Sequence, residues 1–372
     1  MTRPFSIAQP RRIQFGRGEA LAAVPEIAAL GRHAFLVHGR TAERALPLVA
    51  ALEGARLAVT AHPCPGEPTL AMLDAGVEAA RDADLVIGFG GGSALDLAKA
   101  IAALVPAPGG AMDHLEVVGR GRPLEADPLS FVAIPTTAGT GAEVTKNAVI
   151  DVPEHRRKVS LRDDRMIARL AIVDPSLTDH CPKLVTLASG LDAVVQVIEP
   201  YLSAGANPYT DALSRAAIPT GLIALRQLMA AEDSEARDGM AWVSLSGGLA
   251  LANAGLGAVH GLAGPIGGMT GAAHGAICGA LLPHVLRLIS ARAPSERLGE
   301  IMRWIDAAFD GGGIGALEDW AHGQGLPRLS ALGLQSGDHA VVAEAALASS
   351  SMKASPVPFD IADLRAILER AG

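Results

Sequence analysis

The chain has 372 residues, is 49% hydrophobic and carries a net charge of -8. That length calls for two cores, the apolar content excludes extensive disorder, and the acidic balance gives no electrostatic reason to expect nucleic acid as a partner. The three cysteines, Cys64, Cys181 and Cys278, are too few and too dispersed for a disulfide framework or a cysteine-based zinc module. A small-molecule partner is expected. The N-terminus has basic residues but no apolar segment ahead of a cleavage site, so a cytoplasmic protein is expected.

In chain order, the apolar run 34–38 predicts a strand ending at Gly39, and helical spacing follows over 41–52. A second strand is expected at 57–61, with a helix over 70–81 after the turn-rich segment 62–68. A third, at 85–88, runs into glycines and a helix from Ser93, and further strands are expected at 131–134 and 170–173. This alternation implies a parallel sheet with helices on its faces, binding ligands at the carboxyl ends of its strands. Beyond about residue 175 long Ala- and Leu-rich stretches replace the β-branched runs. The reading is therefore an α/β domain over 1–178 and an all-helical domain over 179–372, with a cleft between them as the natural active site. No Asp, Glu, Lys or Arg occurs between Asp238 and Arg287, which raises a membrane span. Its Gly, Pro, Asn and His residues break the apolar runs, so buried helices around a polar cavity are expected, without a membrane.

Two loops of the first half carry chemistry. Gly90, Gly91, Gly92 and Ser93 follow a predicted strand and open a predicted helix, where free N–H groups and the positive helix end attract a pyrophosphate. Ser93 occupies the place of the third glycine of the usual fingerprint, and Ser93 with Asp96 would equally form a capping box. The segment 134–145 adds four threonines and two glycines after another strand, a loop able to clasp a second part of a nucleotide. In the second half, Asp192 and Gln196 lie four residues apart and so share one helical face. Downstream stand His260 and His274, and the four together read as a metal site with one altered ligand, since a neutral Gln carbonyl is a weak donor.

These segments, with Ile134-Pro-Thr-Thr-Ala-Gly-Thr-Gly-Ala-Glu143, Ala171-Ile-Val-Asp-Pro175, Gly255-Leu-Gly-Ala-Val-His260 and His274-Gly275, are collinear from about Gln9 onward. Together they resemble the iron-containing (group III) alcohol dehydrogenase family. The resemblance implies a dinucleotide-binding parallel-sheet domain followed by an all-helical domain, a dehydroquinate synthase-like architecture assembled as a homodimer or larger homo-oligomer. It also implies hydride exchange between NAD(P)H and an alcohol, aldehyde or ketone. On this mapping Gly90, Gly91, Gly92, Ser93 and Asp96 hold the pyrophosphate, Thr136, Thr137 and Thr140 line the nucleotide, and Lys158 stands near the ribose. Many relatives carry Asp where this chain has Gly39; with Arg40 and Arg44 close by, NADP(H) is expected over NAD(H).

The resemblance places the metal ligands at Asp192, Gln196, His260 and His274. Gln196 stands where the family has His, and Gly264 where a further His is usual. Iron(II) or zinc is the expected ion. Should none be held, His260 or His274 would serve as acid catalyst, as in the metal-independent maleylacetate reductases. A dinucleotide-binding protein without turnover is the third reading. Glu143 and Glu199 read as structural carboxylates, His284 as a structural or cavity-edge residue and Cys278 as core.

Overall fold

A computed structural model describes residues 4–155 and 157–372. These fall into two compact units, one made of the described residues of 8–137 and 141–178, the other of 179–372 with 138–140 and 4–7.

The strands of the first unit are β1 (Arg12–Phe15), β2 (His33–His38), β3 (Ala58–Pro63), β4 (Leu85–Gly90), β5 (Ser130–Pro135), β6 (Asn147–Val152), β7 (Arg157–Arg162) and β8 (Leu170–Val173). Its helices are α1 (Glu19–Ala22), α2 (Val24–Ala28), α3 (Leu46–Gly54), α4 (Leu70–Ala79), α5 (Gly92–Leu104) and α6 (Ala111–His114). Among the described residues, six strands form one parallel sheet in the order β1-β8-β5-β4-β2-β3. Successive side chains of a strand point to opposite faces, and both faces here are apolar. Phe35, Val37, Val86 and Phe131 enter one core with α4 and α5, whereas Leu36, Leu85, Ile87 and Ile134 enter another with α1 to α3. The strand runs expected at 34–38, 85–88, 131–134 and 170–173 therefore read as near-continuous apolar segments, as a doubly covered parallel sheet requires, whereas β3, at the sheet edge over the run expected at 57–61, is mostly exposed.

Strand order reverses between β2 and β4, since β3 lies outside β2 while β5 and β8 continue beyond β4. Ligands bind at such a switch point, beyond the carboxyl ends of the strands. Three features depart from the sequence expectation. A 3-10 turn at Ala42–Arg44 precedes α3, so the helix expected over 41–52 begins later, at Leu46. The sequence reading also omits β1 and the antiparallel β6–β7 hairpin.

The hairpin is tied to α5 by a buried cation. Lys99 Nζ donates to Ala142 O at 2.8 Å, Thr145 Oγ1 at 2.9 Å and Asn147 O at 2.9 Å, with Asp96 3.9 Å away. Burial lowers its pKa to about 8, against the pull of Asp96 and Glu143, and burial raises Glu143 to about 7. The ammonium form has three donors for three acceptors. Lys99→Met is expected to cost about 3–5 kcal/mol, because it strands those acceptors and removes the charge facing Asp96. The urea midpoint of the variant checks this, and an unchanged midpoint contradicts it.

The second unit is helical: α7 (Lys183–Leu202), α8 (Pro208–Ala230), α9 (Ser234–Ala254), α10 (Ala258–Thr270), α11 (His274–Arg292), α12 (Glu296–Ala308), α13 (Gly313–Gly323), α14 (His339–Ala348) and α15 (Ile361–Ala371). The charge-free run occupies most of α9, all of α10 and most of α11. By length and composition α11 could cross a membrane, yet 72% of the qualifying window is buried inside the unit. Glycine explains how closely it packs on α7: a Cβ at Gly275 would lie 2.1 Å from Ala188 O, and one at Gly279 2.6 Å from Leu191 Cδ1.

Candidate active site

The nucleotide loops converge within the sheet unit. Gly39 follows β2 and Gly91 follows β4, at the two strand ends that flank the switch point. A Cβ on Gly90 would lie 3.2 Å from Gly39 N, and one on Gly91 would lie 3.3 Å from Thr137 Oγ1. Thr136 N donates to Gly90 O at 2.9 Å. Gly39, Gly90, Gly91, Thr136 and Thr137 thus meet at one sheet edge. Helix α5 starts at Gly92 with Gly91 as its N-cap and no side-chain cap, so the alternative of a Ser93–Asp96 capping box is absent. Asp96 Oδ2 instead accepts from Val149 N at 3.0 Å.

Other expected nucleotide residues are engaged elsewhere. Thr140 belongs to the helical unit and its carbonyl accepts from Gln196 Nε2 at 2.7 Å. Lys158 pairs with Glu67 at 3.5 Å. Arg40 Nε donates to Pro65 O at 3.1 Å, and the Arg44 guanidinium donates to the Leu177 carbonyl.

In the helical unit α7, α10 and α11 bring together Asp192, His260, His274 and Cys278, whose donor atoms all lie within 4.8 Å of one another. Asp192 Oδ1 is 3.4 Å from His260 Nε2 and 3.8 Å from His274 Nε2. Cys278 Sγ is 3.6 Å from His274 Nε2. Three of the four expected metal residues thus meet. The fourth, Gln196, is buried beside them on α7 with its amide nitrogen held by Thr140.

Two residues outside the expected ligand set complete the site. Glu199 Oε2 accepts from His260 Nδ1 at 2.6 Å, and Glu199 Oε1 accepts from Val259 N at 2.7 Å. With Glu199 on Nδ1–H, the neutral form of the ring keeps its proton on Nδ1 and leaves Nε2 to face an ion. Cys278, which composition alone reads as core, shares a helical face with His274 four residues earlier. That spacing was the available signal, and Glu199 stands seven residues after Asp192 on the same helix.

Asp192 Oδ1 and His260 Nε2 are both buried without a hydrogen-bond partner. Two facing acceptors repel unless a cation or proton lies between them. Burial opposes charge on both imidazoles, but Cys278 and the Asp192 carboxylate outweigh it, raising His274 to about 9 and His260 well above its ordinary value. Burial likewise works to raise Asp192, yet the two imidazoles hold its carboxyl below the usual range. The donor chemistry fits a divalent transition metal. His274 is the most open of the set, its side chain 37% exposed, which marks where a ligand can reach the cluster.

A parallel sheet with a glycine-lined switch point, joined in one chain to a helical unit holding a carboxylate–imidazole cluster, defines a dinucleotide-linked metal oxidoreductase. The chain belongs to the iron-containing alcohol dehydrogenase family: the profile "Iron-containing alcohol dehydrogenase" matches residues 10–175, and "Fe-containing alcohol dehydrogenase family, C-terminal" matches 186–372. It is 38% identical over 320 residues to Long-chain-alcohol dehydrogenase 1 of Geobacillus thermodenitrificans, covering 82% of this chain and 80% of that one. It is 34% identical over 314 residues to Alcohol dehydrogenase 4 of Saccharomyces cerevisiae, covering 82% and 80%. The solved alcohol dehydrogenase from Oenococcus oeni superposes with a TM-score of 0.91 at 27% identity, over 99% of this chain and 100% of that one. The protein is an alcohol–aldehyde oxidoreductase.

Proposed function

We propose that the enzyme interconverts a neutral alcohol with its aldehyde or ketone, using NADP(H) in preference to NAD(H), with a divalent metal held by Asp192, His260 and His274. The observation that carries this reading is the buried, unpartnered pair of Asp192 Oδ1 and His260 Nε2, 3.4 Å apart. When bound there, the ion supplies Lewis acidity to the substrate oxygen and so lowers the cost of alkoxide charge. Glu199 keeps the Nδ1 proton of His260 and thereby the direction of its Nε2 lone pair. The free N–H groups at the start of α5 serve the coenzyme pyrophosphate. A neutral substrate is supported by the absence of Lys and Arg from 239 to 286, the span that includes His260, His274 and Cys278. Where relatives place a further His, a Cβ on Gly264 would meet nothing within 4 Å, which leaves room for substrate bulk. A cytoplasmic homodimer belongs to the same reading.

Coenzyme preference is testable at one residue. Gly39 has no positive φ and a Cβ there would meet nothing within 4 Å, so a side chain fits. Gly39→Asp is expected to turn the kcat/KM ratio from NADPH toward NADH by on the order of 100-fold, because a carboxylate accepts from a ribose 2′-hydroxyl and repels a 2′-phosphate. Steady-state rates with both coenzymes on an aliphatic aldehyde measure it. A ratio unchanged by the substitution, or a wild-type preference for NADH, contradicts the assignment.

A further inference from the structure

We propose that Cys278 supplies a thiolate as the fourth protein donor of the metal site, in the place Gln196 does not fill, and that the resulting set selects zinc over iron(II). The proposal rests on the reading that Asp192, His260 and His274 hold a metal.

Zinc bonds of about 2.0–2.3 Å to oxygen, nitrogen and sulfur give a tetrahedron with edges of roughly 3.3–3.8 Å. The separations in the cluster are 3.4 Å from Asp192 to His260, 3.8 Å from Asp192 to His274 and 3.6 Å from His274 to Cys278. The remaining donor pairs also lie within 4.8 Å. Three edges already have tetrahedral length before any ion draws the side chains in.

The position of the sulfur follows from the packing. His274 and Cys278 are four residues apart on α11, so both face α7. Gly275 and Gly279 allow that close approach, and a Cβ at Gly275 would also lie 3.1 Å from Asp192 Cβ. Cys278 is fully buried, yet it stands against an imidazole and a carboxylate as well as against carbon. Gln196, whose amide nitrogen donates to Thr140 O at 2.7 Å, has only a neutral carbonyl oxygen to offer, a weaker donor than a thiolate. Binding the ion releases the thiol proton to solvent as the sulfur–metal bond forms. A soft sulfur donor favours zinc, whereas an all-oxygen and nitrogen set discriminates less against iron(II). An alcohol oxygen would then enter as a fifth ligand, beside the partly exposed His274.

Cobalt(II) reports the sulfur directly. Full-length metal-free protein is titrated with cobalt(II), and a strong near-ultraviolet sulfur-to-cobalt charge-transfer band is expected alongside the weaker visible bands of bound cobalt. In Cys278→Ser the charge-transfer band disappears while the visible bands persist, and zinc affinity falls by on the order of 100-fold with iron(II) affinity changed far less. Thermal melting of metal-free Cys278→Ser, compared with metal-free wild type, shows that both fold. Cobalt bound without the charge-transfer band, or a band that survives Cys278→Ser, overturns the thiolate and leaves the three-donor reading standing. Wild-type protein that binds no cobalt overturns both.

Discussion

His260→Ala is expected to lower kcat/KM for alcohol oxidation by about 1000-fold, and Glu199→Gln by about 10–100-fold. The ranking follows from what each side chain touches. His260 Nε2 faces Asp192 Oδ1 at 3.4 Å inside the cluster, so its loss removes a donor outright. Glu199 acts through His260: its carboxylate accepts a hydrogen bond from Nδ1–H at 2.6 Å and another from Val259 N at 2.7 Å. Gln can still accept one of those bonds but brings no charge, so the ring keeps its place while its basicity falls. Metal affinity should therefore drop in Glu199→Gln together with kcat, while KM for coenzyme stays near wild type. Glu199→Gln with wild-type metal affinity and kcat would contradict the positioning role.

Gly275→Val should abolish metal binding and destabilise the helical unit, with Tm lowered by on the order of 10 °C. A Cβ at this position would lie 2.1 Å from Ala188 O and 2.7 Å from Ala188 C. Backbone atoms of a helix cannot swing aside as the end of a side chain can. Either α11 moves off α7, carrying His274 and Cys278 away from Asp192, or α7 distorts at the turn that carries Asp192. Both routes open the cluster. Zinc titration and thermal melting together give the test, and a variant that keeps both values would show that this helix contact does not build the site.

The sheet was legible because its strands are continuous apolar runs bounded by turns, a pattern that survives without knowledge of the neighbours. Strand β1 was not, because only its two central residues are even partly shielded and its pairing with β8 joins distant parts of the chain. The β6–β7 hairpin did leave a signal: Ala148, Ile150 and Val152 alternate with partly exposed residues, as do Val159 and Leu161. At the site, Asp192, His260 and His274 could be named from spacing and motif. Cys278 and Glu199 could not, since a helical spacing says which residues share a face and not which face turns inward. Glycine settles that question here, because only a chain with no Cβ at 275 and 279 lets α11 come so close to α7.

If Asp192, His260 and His274 form a metal centre for alcohol–aldehyde chemistry, the isolated protein holds an ion there. The quantity to measure is metal content, on protein purified without oxygen or chelator and again after incubation with iron(II) or zinc, for wild type and Asp192→Ala. Close to one metal ion per wild-type chain is expected, lost together with dehydrogenase activity in Asp192→Ala. Wild-type protein that oxidises alcohols at full rate while binding no metal under any of these conditions would contradict it.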